Sequence, residues 1–493
     1  MGKNLSFYKG KTLSGNINKD ISFFKDLYKS DSLVRIRKTT IGNSGLDIAL
    51  IFFDGMASPD FIADHILRSL ITATVPEGLS IDPYYIGKNI LYSSEISFCD
   101  DISDMLSFVS YGDTVLLTDN SKTAIIINTK GWRFRGITEP INERLTQGPR
   151  EGFDEAALLN VAQIRRRLIT PDLCVLSLTA GRRSDTKVFV CYLESLADKK
   201  LVETVKERIK EIDIDGILDS NYIAEEIRDN KLNLFRSIGT TERPDTAVAS
   251  MLEGRVVIIC DGSPVILTVP YLMVENFHSG DDYYKDYVFG SLARLLRFFG
   301  FLIASFAPAL YIALVTFHAG FLPTFSALSI LKLRTGVPVS TLTESIVLMV
   351  TLELLKEACF RSPKDIGAAL SIVGGLVLGE AAVETRTISA PTLIVIALSG
   401  LCSALSPKLS RTSFFINIIS SVMAGIFGLP GVFTCICITA IYVFSLSSFS
   451  VDYTLSLNKV SFQNLKDTLI RTSWKNMINR PSLVKDIRRQ KRH

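Results

Sequence analysis

The feature that most constrains this chain is a division of solvent. From Phe298 to about Phe449 the sequence is dominated by Leu, Ile, Val, Phe, Ala, Gly and Ser, whereas up to about Asp286 it is rich in Asp, Glu, Lys and Arg. One half is suited to water and the other to hydrocarbon. The run FFGFLIASFAPALYIALVTF (298–317) carries no charge and has the roughly 20 residues that a bilayer core requires. Its Pro308 is tolerable in a membrane helix. The stretch 413–447 is too long for one crossing and is interrupted by GLPG (428–431), so it reads as two helices or a hairpin. SAPTLIVIALSGLCSAL (389–405) is a further candidate.

Charge sets the expected orientation. Arg294 and Arg297 precede the first apolar run, and the C-terminal tail carries Arg471, Lys475, Arg480, Lys485, Arg488, Arg489, Lys491 and Arg492. Positive charge marks the cytoplasmic side, so both ends are expected there, with an even number of crossings, about four to six. MGKNLSFYKGKTLSGN has no apolar core and does not read as a signal peptide. The soluble half is expected to stay where it is made.

The composition excludes some classes. A net charge of +4 and the lack of a base-reading motif argue against nucleic acid. Eight scattered cysteines without a CxxC pair, and four histidines, argue against a disulfide framework or a zinc site. No cofactor or metal is expected. Walker, GxGxxG, HExxH and GxSxG patterns are absent, and no enzyme activity is expected.

The soluble half reads as two α/β lobes. GLDIALIFFD, GDTVLLTD and TAIIINT read as strands, the last two joined by a turn at Asn120-Ser121. PDFIADHILRSL and DEAALLNVAQIRRRLI carry apolar residues at helical spacing. In the second lobe LCVLSLTAG and TKVFVCYLE are strands, KKLVETVKERIKEI is an amphipathic helix, and GRVVIICDGSPVILTVP is a hairpin about Asp261-Gly262. Arg165-Arg166-Arg167 could grip phosphate, but a solvated helix face is the expected reading; GRRSDTK (181–187) reads as a charged hairpin tip. The fold class is therefore an α/β cytosolic region of two lobes followed by an all-α multi-span membrane domain. The expected divisions are a polar segment 1–44, lobe 1 with its connecting helix 45–170, lobe 2 171–290, a membrane domain 291–450 and a basic tail 451–493.

The candidate site residues are carboxylates within the apolar half. ESIVLMVTLELLKEA (344–358) carries Glu344, Glu353, Lys356 and Glu357, and IGAALSIVGGLVLGEAAVE (366–384) ends in Glu380 and Glu384. Four-residue spacing puts Glu353 with Glu357, and Glu380 with Glu384, on one helix stripe. A charge at mid-bilayer costs about 2.5–3.5 kcal/mol, so these residues either face a protein-lined path or sit at the headgroups, paired with Lys356 and Arg361. Ile346, Leu348, Val350 and Leu352 are expected to supply an oily face that could form a dewetting constriction. The glycines 374, 375 and 379 would pack the second helix behind the first.

At these residues the chain resembles a known family. SIVGGLVLGEAAVE, with PKDIG before it and TGVPVSTLTE upstream, is similar to the A subunit of spore nutrient-germinant receptors, the GerA family of endospore-forming bacteria. GPREGFDE (148–155), IRRRL, IDIDGIL, TERPD (241–245), LEGRVVIICDGSP, DDYY, GSLARLLR and PALYIALVTFH look like family blocks in family order, over about residues 45–450. The resemblance implies a nutrient-gated, oligomeric cation channel, pentameric, in the spore inner membrane. It also implies a transporter-like, nutrient-sensing B subunit and a lipoprotein C subunit as partners. The chain departs from the family where it has Met349 in place of a further carboxylate, and where FHPE in relatives reads Phe317-His318-Ala319-Gly320. In the soluble half, Arg150, Glu151 and Gly152, with Glu242, Arg243 and Pro244, offer complementary charges beside Gly or Pro. They are expected to brace the lobes or a subunit contact. The alternatives are a secondary transporter, which also uses broken helices and buried carboxylates, and a membrane-anchored signalling scaffold.

Overall fold

The computed structural model describes residues 5–76, 81–131, 139–140, 142–363, 375, 379–454, 467–477 and 480. Two compact units are present. One comprises residues 1–231, 237–271 and 478–493, and the other 232–236 and 272–477.

The first unit holds two sheets. Sheet 1 contains β1 (Val34–Thr40), β2 (Asp47–Phe53), β3 (Ile96–Cys99), β4 (Thr114–Thr118) and β5 (Ala124–Ile127) in the order β1-β2-β4-β5-β3. Its helices are α1 (Ile17–Leu27), α2 (Pro59–Phe61, continued through the π-turn Ile62–Leu67 into Arg68–Thr72), α3 (Pro83–Asn89) and α4 (Ile102–Tyr111). Sheet 2 contains β6 (Leu173–Ala180), β7 (Thr186–Leu193), β8 (Gly239–Thr241), β9 (Val256–Cys260) and β10 (Ile266–Val269) in the order β6-β7-β9-β10-β8. Its helices are α5 (Ala157–Arg167), α6 (Lys199–Lys210), α7 (Ser220–Ile227) and α8 (Pro244–Leu252). The two lobes therefore repeat one sequence of elements, α-β-β-α-α-β-α-β-β, with one strand order.

The repeat extends to single hydrogen bonds. Asp119, in the β4–β5 turn, accepts from the N–H of Ile17 at the start of α1 (3.1 Å). Asp261, in the β9–β10 turn, accepts from Ala157 at the start of α5 (3.0 Å). Each carboxylate satisfies an orphan donor and faces the positive end of a helix dipole. Both turns pass through positive φ, at Asn120 (62°) and Gly262 (88°), in line with their expected turn chemistry. The strands expected from the sequence form where the apolar runs lie, and every ladder among the described residues is antiparallel. The 181–187 segment is the β6–β7 tip, with Arg182 paired to Asp213 and Arg183 to Asp215.

Three sequence expectations change here. Residues 1–44 are not a separate polar segment: Ile17, Ile21, Phe24 and Leu27 of α1 are buried in the core, and β1 is the first strand of sheet 1. Lys19, Lys25 and Asp26 of α1 lie on its outer face and mask that amphipathic pattern, while Asp20 is buried. The lobes are also joined by more than the connecting helix, because one apolar core runs from Ile51 and Phe53 through Val161 and Ile164 to Val175 and Val257. Ser32 also donates to the Val175 carbonyl from both N–H (2.9 Å) and hydroxyl (2.8 Å). Finally, the three arginines of α5 are not a solvated face. Arg165 is 1% exposed, paired with Asp31, and lies over the Phe53 ring at 3.9 Å. Arg166 and Arg167 both grip Glu151.

The second unit is helical. It contains α9 (Tyr287–Thr316), α10 (Thr324–Arg334), α11 (Thr341–Arg361), α12 (Ala390–Leu405), α13 (Ser410–Phe427) and α14 (Leu429–Ser445). Gly428, at φ 65°, separates the last two, so the 413–447 stretch forms two helices. Tyr287–Thr316 and Pro407–Phe427 are long and apolar enough to cross a membrane; Ala390–Leu405 and Leu429–Ser445 are apolar but shorter. The unit begins at 272 rather than 291 and runs to 477 rather than 450, because Tyr453, Thr468, Arg471 and Met477 are buried in it.

Candidate functional site

The helical unit solves a problem created by Pro308. Proline in a helix removes the N–H that would bond the carbonyl four residues earlier, here that of Ala304. In an apolar surrounding that orphan must find another donor. It finds two: Ser399 of α12 donates its hydroxyl to the Ala304 carbonyl at 2.9 Å, and Asn417 of α13 donates from Nδ2 at 3.0 Å. Ser420 donates to the next carbonyl, Ser305, at 3.1 Å. Ser305, Ser399, Asn417, Ser420 and Ser421 are all buried. A polar seam thus joins α9, α12 and α13 where each would otherwise present only apolar atoms.

A second buried polar line carries a charge. Glu344, one turn into α11, is 1% exposed. Its Oε1 accepts from the Ser389 hydroxyl (2.7 Å) and the Ser389 backbone N–H. Ser389 is the N-cap of α12, so the carboxylate closes the start of that helix, where orphan N–H groups and the dipole favour an anion. The line continues through Thr392 (2.8 Å) to the Tyr311 hydroxyl of α9 (3.3 Å). The other oxygen, Oε2, has no hydrogen-bond partner. Arg334, at the end of α10, stands 3.8 Å from it and also donates to Thr341.

The four glutamates singled out from the sequence lie elsewhere. Glu353 accepts from Lys356 at 3.4 Å, and Glu357 from Arg361 at 2.6 Å. Their side chains are 37% and 59% exposed, so within one chain these carboxylates are neutralised neighbours on an open surface. Lys356 also donates to Ser403 of α12 at 3.3 Å. Glu380 and Glu384 are exposed. Most of the 366–384 helix, including the Gly374 packing position, lies outside the described residues.

Ile346, Leu348, Val350 and Leu352 do not make one oily face. Residues two apart on a helix point about 200° from one another, so the four split. Leu348 is buried with Met349, Val350 is 41% exposed, and Ile346 and Leu352 are half-buried. Leu352 packs beside Gly400 of α12. The buried face of α11 is Thr341, Glu344, Ser345, Leu348 and Met349, a true three-and-four spacing.

The topology arginines also have a structural role. Arg294 is 0% exposed and bonds Asp282 (3.1 Å) and Asp467 (3.0 Å). Arg297 forks onto Asp282 at 2.6 and 2.9 Å, and Arg471 donates to the Lys285 carbonyl at 2.9 Å. Burial pushes the Asp282 carboxyl up, but the hydrogen bonds and charge of Arg297 outweigh it and hold it below the ordinary carboxylate range. His278, 2.8 Å from the Thr468 carbonyl, is held well below its usual value by burial and by the Arg294 charge.

In the soluble unit, segments 149–153 and 241–245 lie together. Phe153 donates its N–H to the Glu242 carbonyl (2.9 Å), and Arg243 donates to the Pro149 carbonyl (2.8 Å) and to Asp245 (2.7 Å). Arg243, the residue before Pro244 at the start of α8, is 2% exposed. The expected complementary charges do not pair with each other. Arg150 pairs with Glu139 (3.2 Å), Glu242 accepts from Asn142 (2.6 Å), and Glu151 takes the two α5 arginines. Those arginines hold the Glu151 carboxyl below its ordinary range despite a burial effect in the opposite direction. The Gly152 carbonyl accepts from Gln163 (3.3 Å). Among the described residues no cluster of His, Cys, Asp and Glu is arranged to hold a metal.

Glu344, named among the carboxylates of 344–358 but given no role of its own, is the only charge between Gly336 and Leu352. That isolation marks the residue as unusual but does not show that it is buried.

Comparison with known proteins covers both units. The family described as Bacillus/Clostridium GerA spore germination protein matches residues 22–483. Spore germination protein GerLA of Bacillus cereus is 33% identical over 474 residues, covering 96% of this chain and 96% of that protein. The membrane protein YfkQ of Bacillus subtilis (strain 168) is 32% identical over 482 residues, covering 97% and 93%. The N-terminal domain of the A subunit of the Bacillus megaterium spore germinant receptor GerK3, a crystal structure, is 30% identical with a TM-score of 0.43, covering 53% of this chain and 98% of that one. With a match running through the soluble and helical units alike, the chain belongs to the GerA family of spore germination proteins.

Proposed function

We propose that this chain is the A subunit of a nutrient germinant receptor in the spore inner membrane, and that copies of it form a nutrient-gated cation channel. The observation that carries this reading is the family match over residues 22–483, which takes in the helical unit with its buried charge as well as the soluble unit. The chain performs no catalysis. It works with a transporter-like B subunit that senses the nutrient and a lipoprotein C subunit, and it assembles as a pentamer. Glu353, Glu357, Glu380 and Glu384 are exposed or half-exposed in one chain. Assembly would multiply each around the axis into an acidic ring of the kind that attracts cations. Half-buried Leu352 and Ile346 are the constriction candidates.

A membrane-anchored scaffold is the second reading. It is favoured by the pairing of Glu353 with Lys356 and of Glu357 with Arg361, which suits carboxylates held at the headgroups. Cation flux through liposomes holding the assembled receptor separates the two. Glu353→Gln should lower conductance or cation selectivity with assembly intact, and Leu352→Ala should make the closed state leak. Unchanged conductance after neutralising all four glutamates would make them anchors and move the path elsewhere.

A further inference from the structure

The repeated lobes differ in one respect: what becomes of their sheet edges. Both edges of sheet 2 are covered by the chain itself. At β6, Ser32 bonds the Val175 carbonyl. At β8, Glu143 accepts from the Thr241 hydroxyl (2.7 Å) and the Glu242 N–H (3.1 Å), and Phe153 bonds the Glu242 carbonyl. In sheet 1 the edges are β1 and β3; Gly10 and Lys11 bond Asp101 (2.8 Å) and Ile102 (2.9 Å) just past the end of β3, but among the described residues no backbone hydrogen bond reaches the outer side of Val34–Thr40 or of Ile96–Cys99 themselves. An uncovered edge is a row of unpaired backbone donors and acceptors that invites another strand.

The two edges have opposite character. Every charge on β1 is basic: Arg35, Arg37 and Lys38, all exposed. Arg35 and Lys38 have partners set back from the edge, Asp54 (3.1 Å) and Asp47 (2.7 Å). Exposed pairs of this kind contribute little and yield readily to a competing partner. Flanking β3 are exposed Glu95, Asp100 and Asp104. β3 also presents Phe98, 37% exposed and stacked on Tyr84 at 4.3 Å, with Tyr92 74% exposed nearby in sequence. An aromatic face is a surface on which a guanidinium stacks.

Direction fits as well. Four antiparallel steps separate β1 from β3 in the order β1-β2-β4-β5-β3, so the two edges run the same way. Arg37 lies opposite Leu50, and Phe98 opposite Ile125. Leu50 and Ile125 belong to one core cluster, so Arg37 and Phe98 share a face of the sheet.

We propose that lobe 1 forms a head-to-tail interface between copies of this chain, in which the basic edge β1 of one copy pairs in parallel with the acidic, aromatic edge β3 of the next. Two different edges meeting is a heterologous contact, which closes into a ring when the rotation between copies allows. The basic side chains on β1 prevent two β1 edges from pairing with each other and leave the acidic edge as the fitting partner. This identifies the surface on which the self-assembly proposed above takes place.

The test uses the full-length chain in detergent, with Cys99, Cys359 and Cys437, the thiols that are not buried, replaced by serine. Lys38→Cys and Ser97→Cys together in one chain, positions opposite Ala49 and Ile126 on one core face, should give a ladder of dimer, trimer and higher species on mild oxidation. Each single variant alone should give none, and a mixture of the two single variants should stop at dimer. Separately, Arg37→Glu should collapse the oligomer to single chains by light scattering with the unfolding temperature unchanged, and Asp100→Arg in the same chain should restore it. A dimer from Lys38→Cys alone would overturn the head-to-tail arrangement. An oligomer that survives Arg37→Glu and gives no cross-link in the double variant would overturn the interface while leaving the receptor reading in place. A native protein that stays a single chain in nutrient-responsive liposomes would remove the interface together with the oligomeric channel proposed above.

Discussion

Arg165 and Glu344 are charged side chains placed where water is not. Each is held by a partner from another element, Asp31 for the arginine and Ser389 for the glutamate. Removing one partner of such a pair is expensive because the other keeps its desolvation cost. Glu344→Ala should therefore lower the unfolding temperature of the purified chain in detergent, since the Ser389 N–H loses its acceptor; the expected cost is about 1–3 kcal/mol. Glu344→Gln retains an amide oxygen for Ser389 and should lose distinctly less. Equal losses would mean that the charge facing Arg334, not the helix cap, is what matters. Neither burial was legible in the sequence. A lone arginine in a run of three looks like a solvated face, and a lone glutamate looks like its neighbours Glu353 and Glu357. What distinguishes them is a contact made by residues 134 positions apart (Arg165–Asp31) and 45 apart (Glu344–Ser389).

Among elements, the proline-bearing helix α9 makes the clearest case. Pro308 predicts an orphan carbonyl at Ala304, but only packing shows which donors replace it. Asn417→Leu alone should be mild, because Ser399 still reaches that carbonyl. Asn417→Leu with Ser399→Ala should cost more than the sum of the single changes. A thermal-denaturation double-mutant cycle reads this coupling, and strict additivity would show that the carbonyl is satisfied elsewhere.

The segment before α9 supplies a pH prediction. A histidine whose folded pKa lies below its unfolded value binds more protons when unfolded, so stability rises with pH through that window. His278 should then cost stability as pH falls below about 6.5, its ordinary value. Asp282, also depressed, contributes stability that is present above about 3.8 and lost as pH falls through its lower folded value. His278→Gln should flatten the unfolding-temperature profile between pH 6.5 and 5 without altering it near 8. An unchanged profile would assign that loss to other groups.

For the whole molecule, orientation is read from arginines that are already engaged. Arg294, Arg297 and Arg471 are tied to carboxylates or carbonyls, so each is a weaker marker of side than an unpaired charge. Even so, residues 1–296 and 452–493 are expected on one, cytosolic face. Engineered cysteines in both regions should resist a membrane-impermeant thiol reagent in intact cells and react after lysis; labelling of either region in intact cells would reverse the orientation. Division of the chain into a water-suited and an oil-suited half, the positions of most strands, the break at Gly428 and the family itself were all legible in the residues. Each depends on local pattern: apolar runs, turn chemistry, hydropathy and ordered blocks. The repeated lobe topology, the core shared between lobes, the place of α1 in that core and the burial of Glu344 were decided only by tertiary structure. They depend on pairings between distant residues, and a hydrogen bond such as Ile17 to Asp119 leaves no trace in the spacing of either.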